Sequence, residues 1–102
     1  MIATQTKTLT ALEAQAAANL FLSDHLPDRF CADDPRPDKA ANVWRVPVVL
    51  AYPFTGSIGE VGEIQVSTSS EEIIAHTPLE EMRAAAWVLI EKHRDEIEAP
   101  VP

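Results

Sequence analysis

The sequence predicts an α+β fold of two layers: an N-terminal helix, an antiparallel meander of three to four strands, and a C-terminal helix, with the helices packed on one face of the sheet. Three observations carry this expectation. Helix-start signals precede a helical stretch at each end of the chain. The strand-like segments between them are joined by short turns, which exclude the long crossovers that parallel strands need. Finally, 102 residues of which 46% are hydrophobic make one core and no second one, since typical domains run to ~100–150 residues. The expected domain spans residues 9–98, flanked by a disordered tail at 1–8 and a proline-containing tail at 99–102.

Thr10 followed by Glu13 has the form of a capping box, so a helix is expected from about Ala11 to His25, where Pro27 ends it. Leu9, Leu12, Ala16 and Leu20 recur at helical spacing and are expected to line its buried face. Arg29 to Ala32 is a candidate short strand, and Asp33 to Ala41, charged and broken by prolines, reads as an exposed loop. Val43 to Leu50 is the clearest strand. Trp44, Val46, Val48 and Leu50 lie on one face and Val43, Arg45, Pro47 and Val49 on the other. Pro47 has no N–H for a ladder, so that strand is expected at an edge or with a bulge.

Ala51 to Ile58 reads as a turn-rich connection, with Gly59 to Ser67 as the second strand of a long-looped hairpin. Thr68 to Glu71 is a polar turn and Glu72 to Ala75 a returning strand. Thr77-Pro78-Leu79-Glu80 combines an N-cap signal with proline at the first helical position. The helix it opens is expected from Pro78 to about Glu96, with Leu79, Met82, Ala86, Leu89, Ile90, His93 and Ile97 as its stripe. Trp87 and Val88 fall outside that stripe, which implies a second neighbour for this helix.

Charge is unevenly placed. Residues 1–51 carry five basic and six acidic groups, residues 52–102 three and ten, and no Lys or Arg occurs from Val46 to Met82. A nucleic-acid binder needs cations to displace the counterions on phosphates, so direct binding of DNA or RNA is not expected. The same field speeds encounter with a basic protein. No apolar run reaches the ~20 residues of a membrane helix, and Met1 to Thr10 lacks the basic start and apolar centre of a signal peptide. With a lone thiol at Cys31, these features lead to the expectation of a cytoplasmic protein with no membrane partner.

The Val43–Glu81 segment, with Trp44-Arg45-Val46-Pro47-Val48-Val49, Glu63-Ile64-Gln65-Val66 and Glu72-Ile73-Ile74, resembles PepSY-type domains over about two fifths of the chain. The resemblance implies a binding or inhibitory module and brings no catalytic residue. The chain departs from that family in having Thr68-Ser69-Ser70-Glu71 where a Thr-Gly-Glu turn is usual, and in showing no export signal.

Metal and nucleophilic chemistry find little support in the residues. His25, Cys31, His76 and His93 include no Cys-x-x-Cys or His-x-x-x-His pair, and no glycine-rich loop cradles a phosphate. Whether His25, Cys31 and His76 converge on a pocket is a question for the structure. Glu71-Glu72 and Glu80-Glu81 are adjacent pairs whose side chains point apart, and acids in a first helical turn complement the helix dipole. No catalytic residue, metal or cofactor is therefore expected.

What remains is a small acidic protein-binding module, an inhibitor or antitoxin-like neutraliser of a basic enzyme. Tyr52, Phe54, Trp87 and Val88 are its expected anchors, and Glu60, Glu63, Glu71 and Glu72 its steering rim. A homodimeric structural or regulatory domain is the alternative, and a small-ligand binder or enzyme the third reading.

Overall fold

A computed structural model describes residues 8–97, so the tails expected at 1–8 (Thr8 apart) and 99–102 lie outside the described residues. Helix α1 (Ala11–His25) starts at the expected capping box: Thr10 Oγ1 accepts from the Glu13 amide at 3.1 Å, and Glu13 Oε1 accepts from the Thr10 amide at 2.9 Å. Of the expected stripe only Leu9, just ahead of the helix, is buried, and the buried face of the helix itself is a different one. Ala14, Ala17, Ala18 and Leu22 pack inward, while Ala16 is exposed and Leu12 and Leu20 are 75% and 65% exposed. The alanines let the helix backbone approach the sheet. One turn apart beside them, Gln15 Nε2 donates to the Ala32 carbonyl at 3.0 Å and Asn19 Oδ1 accepts from the Ala32 amide at 2.9 Å. These amides fix the helix rotation and leave the leucines outside.

Five strands follow: β1 (Phe30–Ala32), β2 (Arg36–Asp38), β3 (Val43–Tyr52), β4 (Gly56–Ser67) and β5 (Ile73–His76). All pairings are antiparallel, in the order β1-β3-β4-β5, with β2 beside β1 on the same edge of β3. The segment expected as a loop at Asp33 to Ala41 therefore contains a strand, closed onto β3 by a turn in which Asn42 takes φ 56°. Asparagine tolerates this left-handed region better than most residues.

Pro47 lies in the interior of the sheet rather than at its edge. A strand residue points its N and its C=O to the same side, and the Pro47 carbonyl accepts from the Asp33 amide at 2.8 Å. The missing N–H thus faces the break between β1 and β2, where residues 33–35 oppose only 46 and 47. The irregularity that proline demands is carried by the neighbouring strand.

The β3–β4 hairpin is tighter than expected, since Tyr52 pairs with Gly56 and only Pro53, Phe54 and Thr55 form its loop. Proline suits an early turn position, and Gly56 supplies φ 80°. Two register shifts leave Val61 and Ile58 as extra residues on β4, and both are buried in the core. Gly59 and Gly62, which follow them, give the second helix room to sit close.

Helix α2 (Leu79–Lys92) ends four residues before the expected Glu96, and a short α3 (Arg94–Ile97) follows the His93 break. Thr77 does not cap it. Its hydroxyl accepts from the Glu63 amide at 2.9 Å and its amide donates to the Glu63 carbonyl at 2.9 Å, extending the β4–β5 ladder. The expected stripe is otherwise in place, with Met82 and Ala86 buried and Leu79, Leu89, Ile90, His93 and Ile97 half-buried. One core joins the inner faces of α1 and α2 to Val46, Val48, Leu50, Ile64 and Val66. The fold is α+β in two layers, and among the described residues the other face of the sheet carries no helix.

Candidate partner-binding surface and cleft

Phe54, at the hairpin tip, is 98% exposed, and Trp87 and Val88 on α2 are 63% and 67% exposed. Neither ring is drawn into the core, so α1 is not the second neighbour that α2 was expected to have. Tyr52 is half-buried, with the Arg29 guanidinium 4.8 Å from its ring centre. Tyr52 and Trp87 line one cleft of about 250 Å³, floored by Leu50 and walled by Arg83, Ala86 and Ile90 of α2 and by the Pro27–Phe30 connection. The four apolar anchors expected from sequence thus divide into Tyr52, Phe54 and Trp87 around one end of the molecule and Val88 farther round α2.

The acidic rim does not gather there. Glu60 is exposed and pairs with Val49 in the hairpin half of β4. Glu71 and Glu72, both exposed, follow the far end of β4. Twelve residues of strand place them roughly 35 Å from the hairpin loop at the usual rise per residue. Glu63 is committed within the sheet: its Oε2 accepts from Arg45 Nη1 at 2.7 Å and from Gln65 Nε2 at 3.1 Å.

Arg45 also donates from Nε to Asp38 Oδ2 at 2.8 Å, so a charged line crosses β2, β3 and β4 on the helix-free face. Register sets Arg36 directly opposite Arg45, a repulsive pairing that the two carboxylates offset. The hydrogen bond from Arg45, helped by the Ala41 amide, holds the Asp38 carboxyl below its ordinary range. Asp38 and Glu63 in turn push the Arg45 guanidinium up.

His25, Cys31 and His76 do not converge on a pocket. His25 pairs through Nδ1 with the Phe21 carbonyl at 2.8 Å and stacks on the Phe21 ring at 4.3 Å, and His76 meets that ring from 4.7 Å. Cys31 lies opposite Val49 on the helix-free face, its thiol directed at the Asp28 and Arg29 carbonyls at 3.8 and 3.9 Å. Among the described residues no cluster of three metal-ligating side chains occurs, and no helix is long and apolar enough to cross a membrane.

Sequence reasoning missed the arginines of the cleft. The signal was available, because Arg83 is the lone basic residue between Val46 and Glu91, one turn before Trp87. Gln15 and Asn19 were missed too, since amides on a helix read as solvent-facing until a strand edge is placed beside them. Compared with known proteins, the chain matches no family model, no curated protein and no solved structure.

Proposed function

We propose that the chain is a non-catalytic protein-binding module that docks through the end formed by the β3–β4 hairpin tip and the outer face of α2. The observation that carries this reading is the exposure of Phe54 and Trp87 at one end of a fold whose core is complete without them. Large aromatic side chains left in water cost free energy that burial in a partner recovers, at about 25 cal/mol per Å² of apolar area. Glu60 and the net charge of −8 favour a basic partner, as an inhibitor or antitoxin-like neutraliser of a basic enzyme would meet. The PepSY-like strand pattern supports the same class of role.

Immobilised protein tests this in extract of the native cell. The expected result is one stoichiometric partner that is lost with Trp87→Ala or Phe54→Ala, both of which keep the far-UV spectrum of the parent. Absence of any such partner, or capture that ignores both substitutions, overturns the reading.

A homodimer is favoured by a separate observation, the outward stripe of Leu12, Ala16 and Leu20 at four-residue spacing on α1. Sedimentation of the purified chain decides it: a dimer that Leu20→Glu dissociates supports self-association through α1, and a monomer at all concentrations removes it.

A further inference from the structure

We propose that the cleft between α2 and the Pro27–Phe30 connection binds a small amphipathic monocarboxylate, with the carboxylate taken by Arg29 and Arg83 and the apolar body lying against Ala86, Trp87 and Ile90. The chain carries sixteen acidic residues, yet among the described residues none lines this cleft, while Arg29 and Arg83 do. Among the described residues the ion pairs engage Arg45 and Arg94 and leave Arg29 and Arg83 without a carboxylate. What they touch is neutral. Arg29 sits over the Tyr52 ring at 4.8 Å, and Arg83 Nη2 reaches the His25 carbonyl at 3.4 Å.

A guanidinium has five N–H donors in a fixed fork that matches a carboxylate, so each arginine keeps most of its hydrogen-bonding capacity for a ligand. The acidic second half of the chain repels an anion, whereas this cleft presents two arginines and no carboxylate among the described residues that line it. An apolar cation meets two positive charges, and a neutral chain leaves both arginines unmatched. The volume of about 250 Å³ falls just below the ~300 Å³ at which small-molecule pockets begin. The lining comes from three short stretches, 27–30, 50–52 and 83–90, meeting at one end of the molecule. That shape suits a free small molecule with a short chain or single ring and not an extended peptide. The inference goes beyond protein docking and does not need it, because a failed partner capture leaves the ligand titration unaffected.

The test is titration of the isotope-labelled full chain with octanoate, octylammonium and 1-octanol, followed by amide and indole NMR shifts. Octanoate is expected to give saturable shifts at 27–30, 50–52 and 83–90 and at the Trp87 indole, and octylammonium none. Arg29→Gln and Arg83→Gln are each expected to weaken octanoate about tenfold, the loss of one charge-assisted hydrogen bond at its weaker end. Failure of octanoate to saturate shifts at the cleft overturns the proposal. Equal affinity for octanoate and octanol also overturns it, and that comparison on the unmutated chain stands even where a variant fails to fold.

Discussion

Gly62→Ala probes the contact that seats α2. A Cβ at residue 62 falls 2.9 Å from Met82 Cγ and 3.0 Å from both Cβ and Oγ1 of Thr77, where ordinary contact begins at 3.4 Å. Neither neighbour yields cheaply. Met82 is fully buried, and the Thr77 hydroxyl is held by the Glu63 amide. The start of α2 must therefore lift off β4, and overpacking of this kind costs about 1–3 kcal/mol. Alanine recovers about 0.4–1 kcal/mol by restricting the unfolded chain, which leaves a net loss of about 1.3 kcal/mol at the middle of the two ranges. For a domain of this size the midpoint falls by roughly 5–10 °C. Urea and thermal unfolding measure the loss, and a cycle with Met82→Ala assigns its cause. Met82→Ala alone costs about 2–5 kcal/mol through the cavity it opens. In the double variant the new methyl enters that cavity, so the two losses sum to more than the measured total by about 1 kcal/mol. A Gly62→Ala protein as stable as the parent, or strictly additive losses, would refute the close seating of α2 on β4.

Asn19→Ala removes the acceptor for the Ala32 amide and is expected to cost about 1–3 kcal/mol. Hydrogen exchange at Ala32 should quicken before exchange elsewhere in the sheet does. Asp38→Asn tests the charged line on the helix-free face. The folded-state pKa of Asp38 is depressed, so its stabilisation is complete above the unfolded value of 3.8 and disappears as pH falls through the lower folded value. The parent should be the more stable protein at neutral pH, and the gap to Asp38→Asn should close in acid below pH 3.8. Leu20→Glu, on the exposed side of α1, should change monomer stability by less than about 0.5 kcal/mol in chemical denaturation. A larger loss would mean that the alanine face is not the one against the sheet.

The elements legible in the sequence are those specified by local chemistry. The capping box of Thr10 and Glu13 marks the start of α1, and three- and four-residue spacing shows the Met82–Ala86–Leu89 side of α2. What was not legible depends on neighbours distant in sequence. Leu12, Ala16 and Leu20 have the spacing of a buried stripe. Their exposure follows from Gln15 and Asn19 reaching a β1 edge that local pattern cannot place. Pro47 called for an edge or a bulge in its own strand, because nothing nearby in sequence shows that the irregularity lies in the opposing strand, broken at Asp33–Pro35. Thr77 has the form of a cap, but the Glu63 amide, fourteen residues upstream, takes its hydroxyl. Tyr52, Phe54 and Trp87 were legible as surplus apolar residues. The cleft between them was not, since it joins stretches of chain that meet only in the fold.

The separation of charge from apolar surface limits what the acidic rim does. At physiological ionic strength fields between exposed charges decay over about 8 Å. Glu71 and Glu72, roughly 35 Å along β4 from the hairpin loop, therefore contribute little to a partner already seated at Phe54 and Trp87. Glu60 lies four residues beyond Gly56, about 13 Å along the strand, and is the nearer member of that rim. Glu63 is neutralised where it stands by Arg45. On the proposed reading, steering by the whole net charge governs the approach of a basic partner, and the proposed seat is apolar with arginines at its cleft. A partner complementary to both features must be basic in overall charge yet present an apolar contact to the hairpin end.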